Sequence, residues 1–286
     1  MIRKAVIPAA GLGTRLLPAT KQQPKEMLPI FCWDSNKQLY LKPIIQVVFE
    51  KLYDNNFEEF CFIVGRDKRS IEDHFTLDNS FIEYLTKTNK PTALSELDRF
   101  YEKVRASKIF FVNQPKPRGL GDALCYAEPF TGNEPFVVHA GDDLILSKNN
   151  RYFKTLVEIF EENQADAVFC VETLEDPRSY GVIQGKKIGK RLYQVTGIDE
   201  KPTHPQSNLA IVAVYVFSKA IYNGIRSARD SANGEIQLTS GIKQLIEEGS
   251  RVYAVELSQD EKRVDIGTPH SYWSALNYTF NSKHED

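Results

Sequence analysis

Glycine and basic residues with the spacing of a phosphate site stand near the start of the chain. Gly11 and Gly13 follow a short apolar run, Arg15 comes soon after them, and Lys25 lies further along the same segment. Glycine lets backbone N–H groups approach an anion that a Cβ would keep away, and the two cations supply charge that a polyphosphate requires. The pattern therefore predicts a polyphosphate-binding loop between Gly11 and Lys25.

Two common nucleotide-binding motifs do not fit this segment. A Rossmann Gly-x-Gly-x-x-Gly motif needs glycine where Leu16 stands, and a P-loop needs Gly-Lys-Ser/Thr, which is missing. A tight turn between a strand and a helix also uses Gly-x-Gly, so the glycines alone decide nothing. The longer run, Gly-x-Gly-Thr-Arg followed by Pro24-Lys25, favours a nucleotide-binding loop.

A second candidate segment runs from Gln114 to Asp122 and follows a strand-like apolar run. A side-chain amide can pair with a nucleobase edge through its donor and its acceptor together, and Gly119 and Gly121 let the backbone approach a base. Asp122 is interpreted as a negative charge at a helix N-terminus. The alternative is an ordinary proline-rich loop before a helix, but the phosphate motif favours a base-binding loop.

Carboxylates and a lysine complete the set of candidates. Asp142 lies at the end of the apolar strand that begins at Phe136. Open α/β sheets bind ligands at the carboxyl ends of their strands, and carboxylate oxygens are hard ligands that suit Mg²⁺. Asp143 is interpreted as a cap of the following turn, and His139 as a core residue. Asp265 is a second candidate aspartate, in the segment Val264-Asp265-Ile-Gly-Thr-Pro.

Glu200-Lys201-Pro202 is typical of an ordinary polar turn when it is considered alone. Here it follows Tyr180-Gly181-Val182 and precedes an apolar strand from Ala210 to Phe217, and that position favours a binding site. Glu200 can accept hydrogen bonds from two hydroxyl groups of a hexose, and Lys201 offers a compact charge for a phosphate.

Together these motifs resemble those of the sugar-1-phosphate nucleotidylyltransferase family, from Gly11 to Pro269, and the later motifs point to its uridylyltransferase branch. The resemblance implies transfer of UMP from UTP to glucose 1-phosphate, with release of pyrophosphate and dependence on Mg²⁺. It implies these roles: nucleotide binding by Ala10, Gly11, Gly13, Thr14, Gln114 and Gly119; sugar-phosphate binding by Gly181, Glu200 and Lys201; metal binding by Asp142 and Asp265; catalysis by Arg15, Lys25 and Lys201.

The chain departs from the branch at two positions. Asp122 stands where relatives commonly have His, and Val214 stands where glucose-specific relatives tend to have Arg. The second departure bears on the sugar more than on the reaction. The same chemistry with dTTP or another sugar 1-phosphate therefore stays open, as does a catalytically silent sugar-nucleotide-binding subunit. Retention of the charged residues argues against the silent subunit, and the glycine spacing argues against a dehydrogenase.

Alternating strand and helix patterns must position these residues, and this alternation predicts a parallel sheet with crossover helices. The resemblance implies an α/β fold: a mainly parallel, mixed Rossmann-like sheet flanked by helices, as in glycosyltransferase-A-like proteins. We expect one domain, 1–286. It would comprise a nucleotide-binding half (about 1–150) with a helical insertion at 71–106, a sugar-phosphate half (about 165–268) and a C-terminal helix (269–286).

Composition bounds the remaining possibilities. The 286 residues carry a formal net charge of −2, which does not indicate a nucleic-acid-binding surface. The four cysteines are scattered, so buried reduced thiols are expected at Cys61 and Cys170. No stretch approaches the length of a membrane span. A cytoplasmic protein without nucleic-acid or membrane partners is expected, and its aromatic C-terminal helix suggests a homo-oligomer, a dimer or a tetramer.

Overall fold

The computed structural model describes residues 2–34, 37–147, 150–229 and 234–282. The strands are β1 (Lys4–Ala9), β2 (Pro29–Trp33), β3 (Leu39–Pro43), β4 (Glu59–Gly65), β5 (Lys108–Gln114), β6 (Phe136–His139), β7 (Asp143–Leu146), β8 (Ala167–Thr173), β9 (Gly181–Lys187), β10 (Leu192–Glu200), β11 (Leu209–Phe217), β12 (Val252–Glu256) and β13 (Lys262–Asp265). The helices are α1 (Ile44–Asp54), α2 (Arg69–His74), α3 (Asn79–Lys87), α4 (Pro91–Ala106), α5 (Leu120–Cys125), α6 (Glu128–Thr131), α7 (Arg151–Glu162), α8 (Ala220–Arg229), α9 (Leu238–Glu247) and α10 (Pro269–Asn281). Among them no helix is long and apolar enough to cross a membrane.

A nine-stranded mixed sheet, in the order β5-β4-β1-β6-β11-β8-β12-β10-β9, forms the centre of the fold. The first four strands are mutually parallel and are called the parallel group below. The other five are called the mixed group, because β8 and β12 are parallel while β11, β10 and β9 pair antiparallel with their neighbours. The sheet is mixed, as expected, but its description as mainly parallel is not confirmed, because β11, β10 and β9 form antiparallel pairs. Connections between neighbouring strands without a crossover helix, as in the β9–β10 hairpin, reverse the strand direction.

Apolar residues cover both faces of the sheet, as strands with near-continuous apolar runs require. In β1, Ala5 and Ile7 belong to one hydrophobic cluster, whereas Val6 belongs to the cluster on the other face. This alternation follows from the two-residue period of a strand. Cys61 and Cys170 are buried free thiols, as expected, and burial raises the pKa of Cys61 to about 12.

The helices α2, α3 and α4 occupy the segment where a helical insertion is predicted. Pro91 does not interrupt a helix; it stands at the first turn of α4, where its missing N–H has no intrahelical partner to lose. Phe100 and Val104 of α4 are buried, and the Phe100 ring packs edge-on against Phe49 of α1, with centroids 6.2 Å apart. This aromatic contact fixes the segment against the parallel group.

The apolar segment from Phe136 to Leu146 forms two strands, β6 and β7, and not one continuous strand. After β6, the Ala140 N–H donates to the Ala213 carbonyl (3.0 Å) and the Gly141 N–H donates to the Pro8 carbonyl (3.1 Å). The chain then leaves the large sheet, and β7 pairs antiparallel with β13 in a separate two-stranded sheet. The polar segment 34–37 lies between the paired strands β2 and β3, and residues 35–36 of it lie outside the described residues. Residues 283–286 of the predicted C-terminal helix also lie outside them.

Candidate active site

The segment after β1 forms a loop that is closed by its own hydrogen bonds. Gly13 has a φ of 63°, a value that favours glycine, and its carbonyl accepts from the Thr20 hydroxyl at 2.7 Å. Ala10 is buried, and Thr14 begins a single 3₁₀ turn. A Cβ added at Gly11 would lie 3.6 Å from Lys25 Cε. The Lys25 side chain therefore lies beside Gly11, at a distance that would be an ordinary contact for a Cβ.

Asp142 and Asp265 come together because β7 and β13 are paired. Asp265 lies opposite Asp143 in the register, and the Ile266 N–H donates to the Asp142 carbonyl at 3.0 Å. The Lys25 ammonium forms an ion pair with the Asp142 carboxylate. A Cβ added at Gly267 would lie 2.6 Å from an Asp265 carboxylate oxygen and 3.3 Å from Arg15 Nη2. Four predicted site residues thus lie together: Arg15, Lys25, Asp142 and Asp265.

Neighbouring carboxylates raise the pKa values of Asp265 and Lys25. Burial, together with Asp143 and Asp142, raises the pKa of Asp265 to about 6. Burial by itself would lower the pKa of Lys25, but the carboxylates of Asp142, Glu26 and Asp265 outweigh it and raise that pKa. The electrostatic field at this edge of the sheet is therefore one that favours additional cations.

Arg263 forms ion pairs with two buried or half-buried carboxylates beside Asp265. The sequence analysis did not predict this role. The Arg263 guanidinium contacts Asp143 at 2.7 Å and Glu172 at 2.9 Å, and its side chain is only 10% exposed. The interpretation of Asp143 as a turn cap is therefore wrong: a buried cation pairs with it across the β7–β13 ladder. The available signal was the alternation in β13, since Arg263 and Asp265 lie on the same face of the strand.

The residues predicted to bind the sugar phosphate converge at the β9–β10 hairpin. Gly181 and Glu200 are cross-strand partners, and a Cβ at Gly181 would lie 2.8 Å from Thr239 Cγ2 and 3.4 Å from the Glu200 carboxylate. Glu200 accepts from the Thr239 hydroxyl at 3.0 Å and pairs with the Lys201 ammonium at 3.3 Å. The sequence analysis did not predict this hydrogen bond from Thr239, which is the last residue of the segment Glu235-Ile-Gln-Leu-Thr.

Lys201 has a backbone conformation that is uncommon for a residue with a side chain. Its φ is 44°, and its N–H donates to the Tyr180 carbonyl at 3.0 Å. Such a conformation is unfavourable and persists only where surrounding contacts fix it. The Arg263 guanidinium lies 4.7 Å from the centre of the Tyr180 ring. Tyr180 therefore connects the Lys201 turn to the carboxylates at β7 and β13.

The segment predicted to bind a base packs beside the glycine loop. Gln114 lies opposite Gly65 in the β4–β5 register, and a Cβ at Gly65 would lie 3.0 Å from the Ala10 carbonyl. Gly119 has a φ of 98°, and a Cβ there would lie 2.5 Å from the Ile236 carbonyl. The Gly121 N–H donates to that same carbonyl at 2.9 Å. Close packing against Ile236 thus requires glycine at both positions.

The Gln114 side chain does not leave both halves of its amide open to a base. Its Nε2 donates to the Asp122 carboxylate at 2.9 Å and to the Gly119 carbonyl at 3.3 Å. Asp122 does lie in the first turn of α5, as expected, but its carboxylate also accepts a hydrogen bond from the Gln114 amide.

The described residues contain no preformed group of three or more His, Cys, Asp or Glu side chains for a metal ion. A pair of carboxylates nevertheless fits Mg²⁺, which usually takes one or two protein carboxylates and completes its shell with water and substrate phosphates. Asp142 and Asp265 meet that description. Because their carboxylates are close, two negative charges there are unfavourable unless a cation neutralises them.

Comparisons with known proteins identify the family of the chain. The model of the nucleotidyl transferase family matches residues 4–282. UTP–glucose-1-phosphate uridylyltransferase 2 of Streptococcus pyogenes is 39% identical over 288 residues, covering 97% of this chain and 90% of that one. A Methanocaldococcus jannaschii protein is 39% identical over 274 residues, covering 93% of this chain and 89% of that one.

Solved structures give the same result. The crystal structure of a UDP-glucose pyrophosphorylase complexed with UDP-glucose has a TM-score of 0.83 at 32% identity, covering 99% of this chain and 100% of the other. A UTP-bound enzyme of Acinetobacter baumannii has a TM-score of 0.85 at 28% identity, covering 99% of this chain and 95% of the other. The resemblance that the motifs indicated is confirmed: the chain belongs to the nucleotidyl transferase family and to the branch of its UTP–glucose-1-phosphate uridylyltransferases.

Proposed function

We propose that this protein transfers UMP from UTP to glucose 1-phosphate, giving UDP-glucose and pyrophosphate. The observation that carries the proposal is the convergence of Arg15, Lys25, Asp142 and Asp265 over the glycine loop. Similarity across nearly the whole chain to a uridylyltransferase of Streptococcus pyogenes supports the choice of both substrates.

In this reaction an oxygen of glucose 1-phosphate attacks the α-phosphorus of UTP. A new P–O bond forms, the bond from the α-phosphorus to the bridging oxygen breaks, and pyrophosphate leaves with that electron pair. The attacking phosphate is already ionised, so the protein need not supply a nucleophile or remove a proton. What remains for the chain is alignment and stabilisation of charge.

The glycine loop, with Ala10, Gly11, Gly13 and Thr14, binds the phosphates of UTP. Arg15 binds the leaving pyrophosphate, and Lys25 neutralises the phosphates on the UTP side. At the β9–β10 hairpin, Glu200 accepts hydrogen bonds from sugar hydroxyls beside Gly181, and Lys201 orients the attacking phosphate. Gln114 and Gly119 contact the base. The positions of these side chains around one edge of the sheet support the assignments.

Asp142 and Asp265 are the residues that would hold Mg²⁺. Such an ion, when bound, neutralises phosphate charge and aligns the two substrates. The Lys25 ammonium already pairs with Asp142, so an ion there would share that carboxylate with a cation that faces the same phosphates.

The proposal is tested by a matrix of nucleoside triphosphates against sugar 1-phosphates, with pyrophosphate release as the readout. UTP with glucose 1-phosphate should give the highest kcat/KM, and excess EDTA should abolish the reaction until Mg²⁺ is restored. Pyrophosphate from no pair in the matrix would contradict the proposed function, and full activity in EDTA would contradict the metal site.

We also propose that the protein is a cytoplasmic homo-oligomer, a dimer or a tetramer. Large apolar side chains of α10 and β3 are exposed among the described residues: Trp273 (68%), Phe280 (46%) and Leu41 (59%). Light scattering measures the mass directly. A monomer at micromolar concentration would contradict this proposal.

A further inference from the structure

Gln114 and Asp122 form a buried pair beneath the loop that we assign to the base. The two residues are 4% and 2% exposed. Gln114 Nε2 donates to Asp122 Oδ2 at 2.9 Å and to the Gly119 carbonyl at 3.3 Å. An amide nitrogen carries two hydrogens, so these acceptors use both of them.

This arrangement permits only one orientation of the amide. If the amide turned over, Oε1 would face a carboxylate oxygen and a carbonyl oxygen with no hydrogen between them. A buried contact between acceptors is unfavourable because each loses its hydrogen bonds with water. Among the described residues none donates to Oε1, and that atom is not sealed within the core. Gln114 therefore presents an acceptor, and only an acceptor, to a ligand.

We propose that Asp122 holds the Gln114 amide in this orientation and thereby makes the protein select uracil over cytosine. The inference rests on the proposed function, in which Gln114 contacts the base. Uracil presents an N3–H donor that pairs with Oε1, whereas the N3 of cytosine is an acceptor and would face Oε1 without a hydrogen. Thymine has the same N3–H, so this device rejects CTP and does not distinguish UTP from dTTP. Asp122 is a positioning residue, since it acts through Gln114.

The Asp122→Asn variant tests the proposal because it keeps the shape of the side chain but can donate as well as accept. The variant removes the charged acceptor and leaves only the more distant Gly119 carbonyl to oppose a turned-over amide, so Gln114 can also present its NH₂ group to cytosine. We expect the ratio of kcat/KM for UTP to that for CTP to fall by at least about tenfold, mainly through KM. The control is Glu128→Gln, which makes the same charge change on α6, where Glu128 pairs with Arg226 at 2.8 Å; the ratio should not change in it. An unchanged ratio in folded Asp122→Asn overturns the inference.

A double-mutant cycle separates positioning from a general structural effect. In a Gln114→Ala background, Asp122→Asn should leave the UTP to CTP ratio unchanged, because no amide remains to be oriented. A second large decrease would show that Asp122 acts by another route and would overturn the proposal.

Two further measurements apply if Asp122→Asn fails to fold or if glucose 1-phosphate is not the acceptor. In the wild-type protein, the side-chain NH₂ resonances of Gln114 should remain protected from exchange when UTP binds. Rapid exchange, or a shift showing that Nε2 contacts the base, overturns the proposal.

Calorimetry with UTP and CTP alone measures base selection without any sugar. Loss of selection in Asp122→Asn there supports the inference even if the matrix of substrates contradicts the proposed reaction.

Discussion

The parallel and mixed groups of strands build their parts of the site in different ways. In the parallel group, the glycine loop follows β1 directly and Gln114 is the last residue of β5. Beside the mixed group, Glu200 of β10 depends on Thr239, and Asp143 of the separate β7–β13 sheet depends on Arg263, which also pairs with Glu172 of β8. The first part is built from residues next to strand ends, whereas the second is built from pairs that are distant in sequence.

This difference has an energetic counterpart. The glycine loop uses backbone groups whose positions are set by local turns, and the removal of one side chain leaves most of them in place. The Arg263 support includes buried charges, and the loss of that cation leaves its carboxylate partners unpaired in a poorly solvated site. Loss of Arg263 should therefore disturb folding, whereas changes in the glycine loop should disturb binding.

Arg263→Met should have the largest effect on stability, because it leaves Asp143 and Glu172 without their shared cation. Breaking a buried ion pair in this way costs about 3–5 kcal/mol. Urea denaturation should show this loss in the free energy of unfolding. Arg178→Met is the control, since it removes an exposed pair with Asp176 (62% and 58% exposed) and should leave the free energy of unfolding nearly unchanged. Equal losses in the two variants would remove the energetic distinction between buried and exposed pairs.

Asp265→Asn should lower kcat/KM by roughly a hundredfold or more while the protein remains folded. The proposed loss is stabilisation of transition-state charge, about 3 kcal/mol. Asp142→Ala should behave similarly, although it also frees Lys25. The control Asp54→Asn changes an exposed aspartate that pairs with Lys103 and should keep normal turnover. Near-normal activity of Asp265→Asn with an unchanged Mg²⁺ requirement would show that this aspartate is not a ligand.

Lys201→Ala should impair the use of glucose 1-phosphate by roughly ten- to a hundredfold, which corresponds to one charge-assisted hydrogen bond of about 1.5–3 kcal/mol. UTP binding, measured by calorimetry, should change much less, because Lys25 serves the UTP side. Lys201→Arg should not restore full activity, since a planar guanidinium replaces a compact ammonium. Equal weakening toward both substrates would show that the two groups of strands do not divide the substrates between them.

The sequence predicted the parts of the site that local pattern encodes. Gly13 and Gly119 could be chosen as candidates because glycine is favoured where φ is positive, and Asp142 because it follows a buried strand. Their roles in binding stay predictions. Arg263 and Thr239 could not be chosen in this way, since their roles depend on partners that only the folded chain brings near. For the same reason the order of the strands in the mixed group could not be predicted, since local periodicity does not report which strands become neighbours.

Thr239→Val should have the smallest effect, and it tests whether the two regions are independent. Valine keeps the shape of the side chain and the contact with Gly181, but it removes the donor to Glu200 (3.0 Å). Glu200 is 28% exposed, so water can replace much of that hydrogen bond. The expected loss is about 1 kcal/mol, which would appear as a roughly fivefold rise in KM for glucose 1-phosphate. Thr239→Ser keeps the hydroxyl and should remain near wild type.

The KM for UTP decides how this result bears on the comparison. Thr239 belongs to the same short segment as Ile236, whose carbonyl accepts from the Gly121 N–H and whose N–H donates to the Arg118 carbonyl at 2.8 Å. This segment therefore contacts both the base loop and the sugar carboxylate. If Thr239→Val changes only the use of glucose 1-phosphate, the hydroxyl acts locally through Glu200. If the KM for UTP rises equally, the segment couples the two subsites, and the division between the parallel and mixed groups does not hold at this point.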